Sequence, residues 1–234
     1  MTTSPLLSRL TMLAGFFSIG LMAVGQYAIW VYAPEEATMG LVQKVFYFHL
    51  PLAWWAFAAF FGVFAASCMV LIRGGQQWDL LAGAFAELGV LLSGLALVTG
   101  SIWGRAAWNT WWTWDPRLST TLVMWFVYAG YLVLRGADDG GAKSYKVRAV
   151  LGIVAFLDVP LVFLSARLWR SIHPSVFASK GGGLEPEMWT TVWINFVAWG
   201  ALFLALLLLR YQGLSLSRKV DAVMTRIQEK SLNS

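Results

Sequence analysis

Charge is scarce in this chain. Only 12% of its 234 residues are Asp, Glu, Lys or Arg, against about 25% in an ordinary soluble domain. Hydrophobic residues make up 59%, and the mean hydropathy is +0.65. A water-soluble globule is thereby excluded. Cysteine occurs once, at Cys68 inside an apolar run, which excludes an intrachain disulfide and a C-x-x-C-H haem attachment site. No G-x-x-x-x-G-K-[ST] loop occurs, so the chain carries no Walker-type ATPase site. Histidine occurs twice, at His49 and His173, too few for a closed zinc centre. No internal repeat is visible, which argues against a transporter built from two inverted halves. The apolar runs do not alternate with period two, as the strands of an outer-membrane barrel would.

What is present are long apolar runs. A spanning helix needs about 20 mainly apolar residues, and six segments qualify, approximately 11–33, 51–72, 80–102, 119–135, 149–168 and 189–209. The first is too long for a signal-peptide core and shows no small-residue cleavage site, so it is expected to be retained. The expected fold is an all-α integral membrane protein, a single domain over 1–234 with six transmembrane helices. Placing the N-terminus in the cytoplasm puts eleven basic residues inside, Arg73, Arg135, Lys143, Arg148 and Arg210 among them. Six fall outside, Lys44, Arg105, Arg117, Arg167, Arg170 and Lys180. This asymmetry obeys the positive-inside rule, and it makes the net charge of +5 a record of topology, with no reason to invoke nucleic acid. Both termini are expected to be cytoplasmic, with a tail over 211–234.

The densest signal lies in the outward segment 103–119. Trp103, Trp108, Trp111, Trp112 and Trp114 are five of fourteen tryptophans, packed into twelve residues. An interfacial aromatic belt needs one or two per helix end. Indole is flat, polarizable and carries one N–H donor, so this density predicts an apolar platform edged by Arg105, Asp115 and Arg117. If residues 106–114 are helical, Trp108, Trp111 and Trp112 share one face. Asp115-Pro116 closes that helix. Asp115 then pairs with Arg105 or Arg117, or caps the fourth helix.

Both histidines fall on the same outward side, each beside a proline (His49-Leu50-Pro51 and His173-Pro174). Imidazole is an axial ligand of haem iron. Outward Arg105, Arg117 and Arg170 either snorkel to lipid headgroups or meet an anionic ligand. Asp158, two residues before Pro160 in the fifth segment, is either functional or satisfies backbone that the proline frees. Glu87 is expected near the inner end of the third helix, and Glu185 and Glu187 in an outer loop. Residues 179–183 read as an outer hinge. The tail from Leu214 has a mild amphipathic pattern and is expected to lie on the inner membrane surface or dock a partner.

The string W-G-x-x-x-W-x-x-W-W-x-W-D-P-R-L resembles the WWD signature of haem-handling membrane proteins of cytochrome c biogenesis, the CcmC/CcmF/CcsA type. Over about residues 10–210 the chain is similar to the haem exporter protein C (CcmC) family. That resemblance implies His49 and His173 as axial iron ligands. It implies a haem-binding surface of Trp103, Trp108, Trp111, Trp112, Trp114, Asp115 and Arg117, and Arg105, Arg117 or Arg170 is then expected on the propionates. The cargo would be haem b, held without covalent attachment and therefore transferable. Implied partners are the haem chaperone CcmE and the ABC-type subunits CcmA, CcmB and CcmD, besides membrane lipid, in a bacterial inner membrane with the site facing the periplasm. The implied role is delivery and not catalysis. The alternatives are a cytochrome c haem lyase of the same superfamily, or a membrane enzyme acting on lipid-linked substrates through Asp115 and Glu185.

Overall fold

The computed structural model describes residues 5–137, 142–169 and 184–232. Seven α-helices follow one another: α1 (Pro5–Tyr27), α2 (Phe46–Arg73), α3 (Gln76–Trp108), α4 (Pro116–Gly136), α5 (Ala142–Ala155), α6 (Asp158–Leu168) and α7 (Pro186–Leu232). Among the described residues there is no strand, only an isolated bridge between Glu36 and Gly40. Six helical stretches are long and apolar enough to cross a membrane: Pro5–Tyr32, Leu41–Arg73, Gln76–Trp108, Pro116–Gly136, Lys143–Ser165 and Pro186–Ser231. All six expected spans are found, each with its ends moved.

The ends move for local reasons. α1 runs into a π-helical turn, Ala28–Tyr32, and stops at extended Ala33, because Pro34 disfavours helical backbone in the residue before it. The chain returns through a turn in which Glu36 Oε2 accepts from the amides of Thr38 (2.8 Å) and Met39 (2.5 Å). A 3-10 turn, Leu41–Val45, then feeds directly into α2. α2 and α3 are joined by Gly74 and Gly75, both at positive φ (67° and 101°), backbone that a residue bearing a Cβ adopts only with strain.

The fifth span is broken into α5 and α6, where an unbroken segment 149–168 is expected from the apolar run. Pro160 has no amide hydrogen, and its ring clashes with the carbonyl four residues back, which belongs to Phe156. The α-helix ends at Ala155. Phe156, Leu157 and Val159 bridge the gap with bonds to carbonyls three residues back, at 3.2, 3.0 and 3.1 Å. Asp158 opens α6, and its Oδ2 is buried with no hydrogen-bond partner among the described residues. The sixth span does not stop near 209 either. α7 is 47 residues of one helix, about 70 Å long, against about 30 Å of hydrocarbon. The tail over 211–232 is therefore a continuation of α7 and not a separate helix.

Lipid supplies no hydrophobic drive between helices, so close packing and interhelical hydrogen bonds hold the bundle. α2 and α3 form the most extensive pair. There a Cβ on Gly62 would lie 2.5 Å from the Phe85 ring, and Phe60 packs on Gly89 in the same way. Phe60 also stacks on Tyr128 of α4, with centroids 3.8 Å apart. Indole donors bind carbonyls across helices, Trp55 Nε1 to Phe196 O (3.0 Å) and Trp125 Nε1 to Val90 O (3.1 Å). Fully buried Asn195 of α7 donates to Thr191 O (2.9 Å) and reaches Gly25 O of α1 (3.4 Å).

The antiparallel order leaves two chemically different ends. One gathers the start of α2, the end of α3, the start of α4 and the start of α7, and carries His49. The other gathers the start of α3, the end of α4 and the start of α5. There Asp79 accepts bidentate forks from Arg135 (3.0 and 3.0 Å) and Arg148 (2.9 and 3.1 Å). These side chains are only 2–9% exposed. Arg135 and Arg148 are basic residues that the topology count assigns to the inner loops. They are buried as well, tying α3, α4 and α5 together. Glu87, expected near the inner end of the third helix, binds Arg210 of α7 (Nη2 to Oε1 2.9 Å) at a more exposed position.

Candidate functional site

His49 lies in the first turn of α2 and is half-buried. Its Nδ1 is 3.1 Å from Thr99 Oγ1 of α3. The ring rests against the next residue too, since a Cβ on Gly100 would sit 3.0 Å from His49 Cε1. Thr99 and Gly100 therefore form a socket for the imidazole, one residue by hydrogen bonding and the other by leaving space. Below the ring, Phe46, Tyr47 and Leu50 pack with Ile29, Met188 and Val192, fixing the start of α2 against α7.

The tryptophan segment follows α3. The helix ends at Trp108, and Asn109 takes a left-handed conformation (φ 56°, ψ 26°), one that asparagine tolerates better than most residues. Residues 110–115 are not helical. The expected helix over 106–114, with Trp108, Trp111 and Trp112 on one face, is thus corrected. The reversal at Asn109 breaks the helical period, and Trp111, Trp112 and Trp114 lie in an irregular loop. Arg105 holds the reversal in place, its Nη1 donating to Asn109 O (2.7 Å) and Asn109 Oδ1 (2.6 Å). Its guanidinium carbon lies 6.0 Å from the centre of the Trp111 ring.

The indoles are not laid in one plane. Trp103 is buried and tilted 60° from Trp108 with centroids 5.4 Å apart, and it also meets Phe46 at 6.5 Å. Trp112 and Trp114 cross at 82°, 6.0 Å apart. Trp111 and Trp114 are strongly exposed, at 61% and 79%. The surface is a set of inclined aromatic faces, wide open at Trp114 and sealed at Trp103. Trp103 Nε1 is buried with no hydrogen-bond partner among the described residues, an unmet donor of the kind that native interiors rarely leave.

Asp115-Pro116-Arg117 forms the entrance to α4. Asp115 is extended (φ −58°, ψ 140°), as a residue before proline should be, and its Oδ1 accepts from the Arg117 amide at 2.9 Å. Pro116 takes the first helical position, where a missing amide hydrogen loses nothing. Asp115 thus caps α4, and the residue is only 8% exposed. Lys44, another of the six cations that the positive-inside count expects outside, is buried against Trp30, with Nζ 3.4 Å from its carbonyl and 5.5 Å from its ring centre.

The structure thus brings His49, Trp103, Trp108 and Arg105 to one end with the loop that carries Trp111, Trp112, Trp114 and Asp115, and with Arg117 in the first turn of α4. His173, Arg170 and the segment 179–183 lie outside the described residues, as does the side chain of Arg167. Thr99 is the residue that sequence reasoning missed. A threonine in an apolar helix carries no signal by itself, and its partner is 50 positions away.

Comparison with known proteins gives the family. The family model described as "CcmC: Heme exporter protein C" matches residues 2–226. The chain is 31% identical over 205 residues to the "Heme exporter protein C" of Bradyrhizobium diazoefficiens, covering 87% of this chain and 78% of that protein. It is 32% identical over 198 residues to the one of Rhodobacter capsulatus (83% and 82%), and 31% identical over 174 residues to the one of Haemophilus influenzae (74% and 70%). With a family match over nearly its whole length and a bundle of six spanning-capable helices, the chain belongs to the haem exporter protein C family.

Proposed function

We propose that this protein is a haem-delivery subunit of cytochrome c maturation. It binds haem b at the periplasmic face of a bacterial inner membrane and passes it, uncleaved and unattached, to the chaperone CcmE. His49 and His173 are the axial ligands, Trp108, Trp111, Trp112 and Trp114 receive the porphyrin, and Arg117 or Arg170 faces the propionates. Both termini are then cytoplasmic, and ATP hydrolysis is supplied by CcmA within a complex that also contains CcmB and CcmD.

The observation that carries the reading is the juxtaposition at one end of the bundle. A half-buried imidazole at the start of α2, held by Thr99 of α3, stands at the same end of the bundle as the open, aromatic loop that follows α3. The residues fit the cargo. An imidazole nitrogen suits iron, exposed indole faces suit a flat macrocycle, and the unmet Trp103 Nε1 donor suits a carboxylate edge. The lone cysteine, Cys68, lies within α2, away from that end, so the cargo is held by coordination and packing.

The test is the absorption spectrum of the full chain purified in detergent and loaded with haem. A low-spin spectrum is expected. His49→Ala and His173→Ala should each convert it toward high spin, with imidazole restoring the single variants, and the double variant should lose haem. A double variant that keeps the low-spin spectrum overturns the ligation.

A further inference from the structure

The hydrogen bond between His49 and Thr99 has a direction, and the direction selects a tautomer. Thr99 has one hydroxyl proton. Its Oγ1 lies 2.8 Å from Leu95 O and 3.2 Å from Ala96 O, both on its own helix. Carbonyl oxygens only accept, so the hydroxyl donates to them, the usual back-bond of a threonine within a helix. The Thr99 oxygen then has lone pairs left for His49 and no proton. His49 Nδ1 is therefore the donor. A neutral imidazole protonated at Nδ1 carries its lone pair on Nε2.

We propose that Thr99 is a positioning residue that holds His49 as the Nδ1–H tautomer and so presents Nε2 as the nitrogen that binds haem iron. The assignment of iron to His49 rests on the function proposed above; the tautomer does not. Histidine ligands commonly donate their second nitrogen to an oxygen of the protein, which fixes the ring and raises its basicity. Here that oxygen is supplied by a helix hydroxyl whose own proton is committed. Gly100 completes the socket, because any side chain there would press on the imidazole edge.

Two measurements test this. The first needs no haem. The full chain labelled with 15N-histidine carries only two imidazoles, and the His49 signals are identified by their loss in His49→Gln. Recorded well above the histidine pKa of about 6.5, the spectrum should show a protonated Nδ1 and an unprotonated Nε2 for His49. Thr99→Val, nearly isosteric, should lose that preference, and Thr99→Ser should keep it. A wild-type ring protonated at Nε2 overturns the proposal whatever haem does.

The second uses the haem-loaded chain. Thr99→Val should raise the iron midpoint potential, because a ligand without its N–H···O bond donates less to ferric iron, and should weaken haem binding on the order of tenfold. Thr99→Ser should restore both. If the tautomer is as stated but the potential ignores Thr99, His49 is not the iron ligand, and the functional reading fails with the ligand half of this one. A bulk loss of folding would not shift the potential of the haem that remains bound.

Discussion

Arg117 shows how local sequence sets a single residue's place. The D-P-R string forces extended backbone, then a helix start, then a guanidinium in the first turn of α4 beside the aromatic loop. A guanidinium binds a carboxylate through a planar fork that lysine does not reproduce. Arg117→Lys should lower haem affinity about ten- to a hundredfold, the equivalent of one charge-assisted contact of roughly 1.5–3 kcal/mol. The spectrum of the retained haem should stay unchanged. Titration with haem dimethyl ester is the control, since an equal deficit for the ester would mean that Arg117 only holds the loop. At this scale much was legible. The D-P cap, the imidazole at the head of α2 and the tryptophan cluster are all set by neighbours in the chain. Thr99 and Asp79 were not, because each acquires its role from partners 50 to 69 residues away.

Among the elements, the loop after α3 departs furthest from its sequence pattern. The tryptophan spacing fits a helix, yet one left-handed asparagine cancels the period and fans the indoles apart. Replacing Trp108, Trp111 and Trp112 together by leucine keeps the loop apolar and removes the flat faces. Haem should still bind through the axial ligands, while transfer to CcmE falls away in a stopped mixing assay; undiminished transfer would reduce these tryptophans to anchors. The six spans themselves were legible, since twenty apolar residues in a row permit little else. The division of the fifth was signalled by Pro160 but masked by an apolar run that continues through it. The length of α7 was hidden for the opposite reason. Its polar half has no proline and is rich in Arg, Lys, Gln, Glu and Leu, which sustain a helix, and only an apolar run marks a span.

For the whole molecule, the buried charges at the end opposite His49 are the principal long-range tie. One carboxylate serves two guanidinium groups, so Asp79→Asn removes a counter-charge that two buried cations share. Breaking a buried pair of this kind costs roughly 3–5 kcal/mol. Thermal unfolding in detergent should shift sharply downward, while the haem spectrum of the folded fraction stays as it was, because Asp79 lies at the other end of α3. The neighbouring Glu87–Arg210 pair has side chains 31% and 47% exposed, against 2–9% in the Asp79 cluster. Mobile ions screen exposed charges and barely reach sealed ones. Raising ionic strength should therefore speed amide exchange around Arg210 and leave the amides around Asp79 protected. The corner of α3, α4 and α5 thus behaves as a salt-proof hinge post, whereas the grip on α7 loosens with electrolyte, so the ionic environment sets how tightly the long helix is tethered where it leaves the bundle.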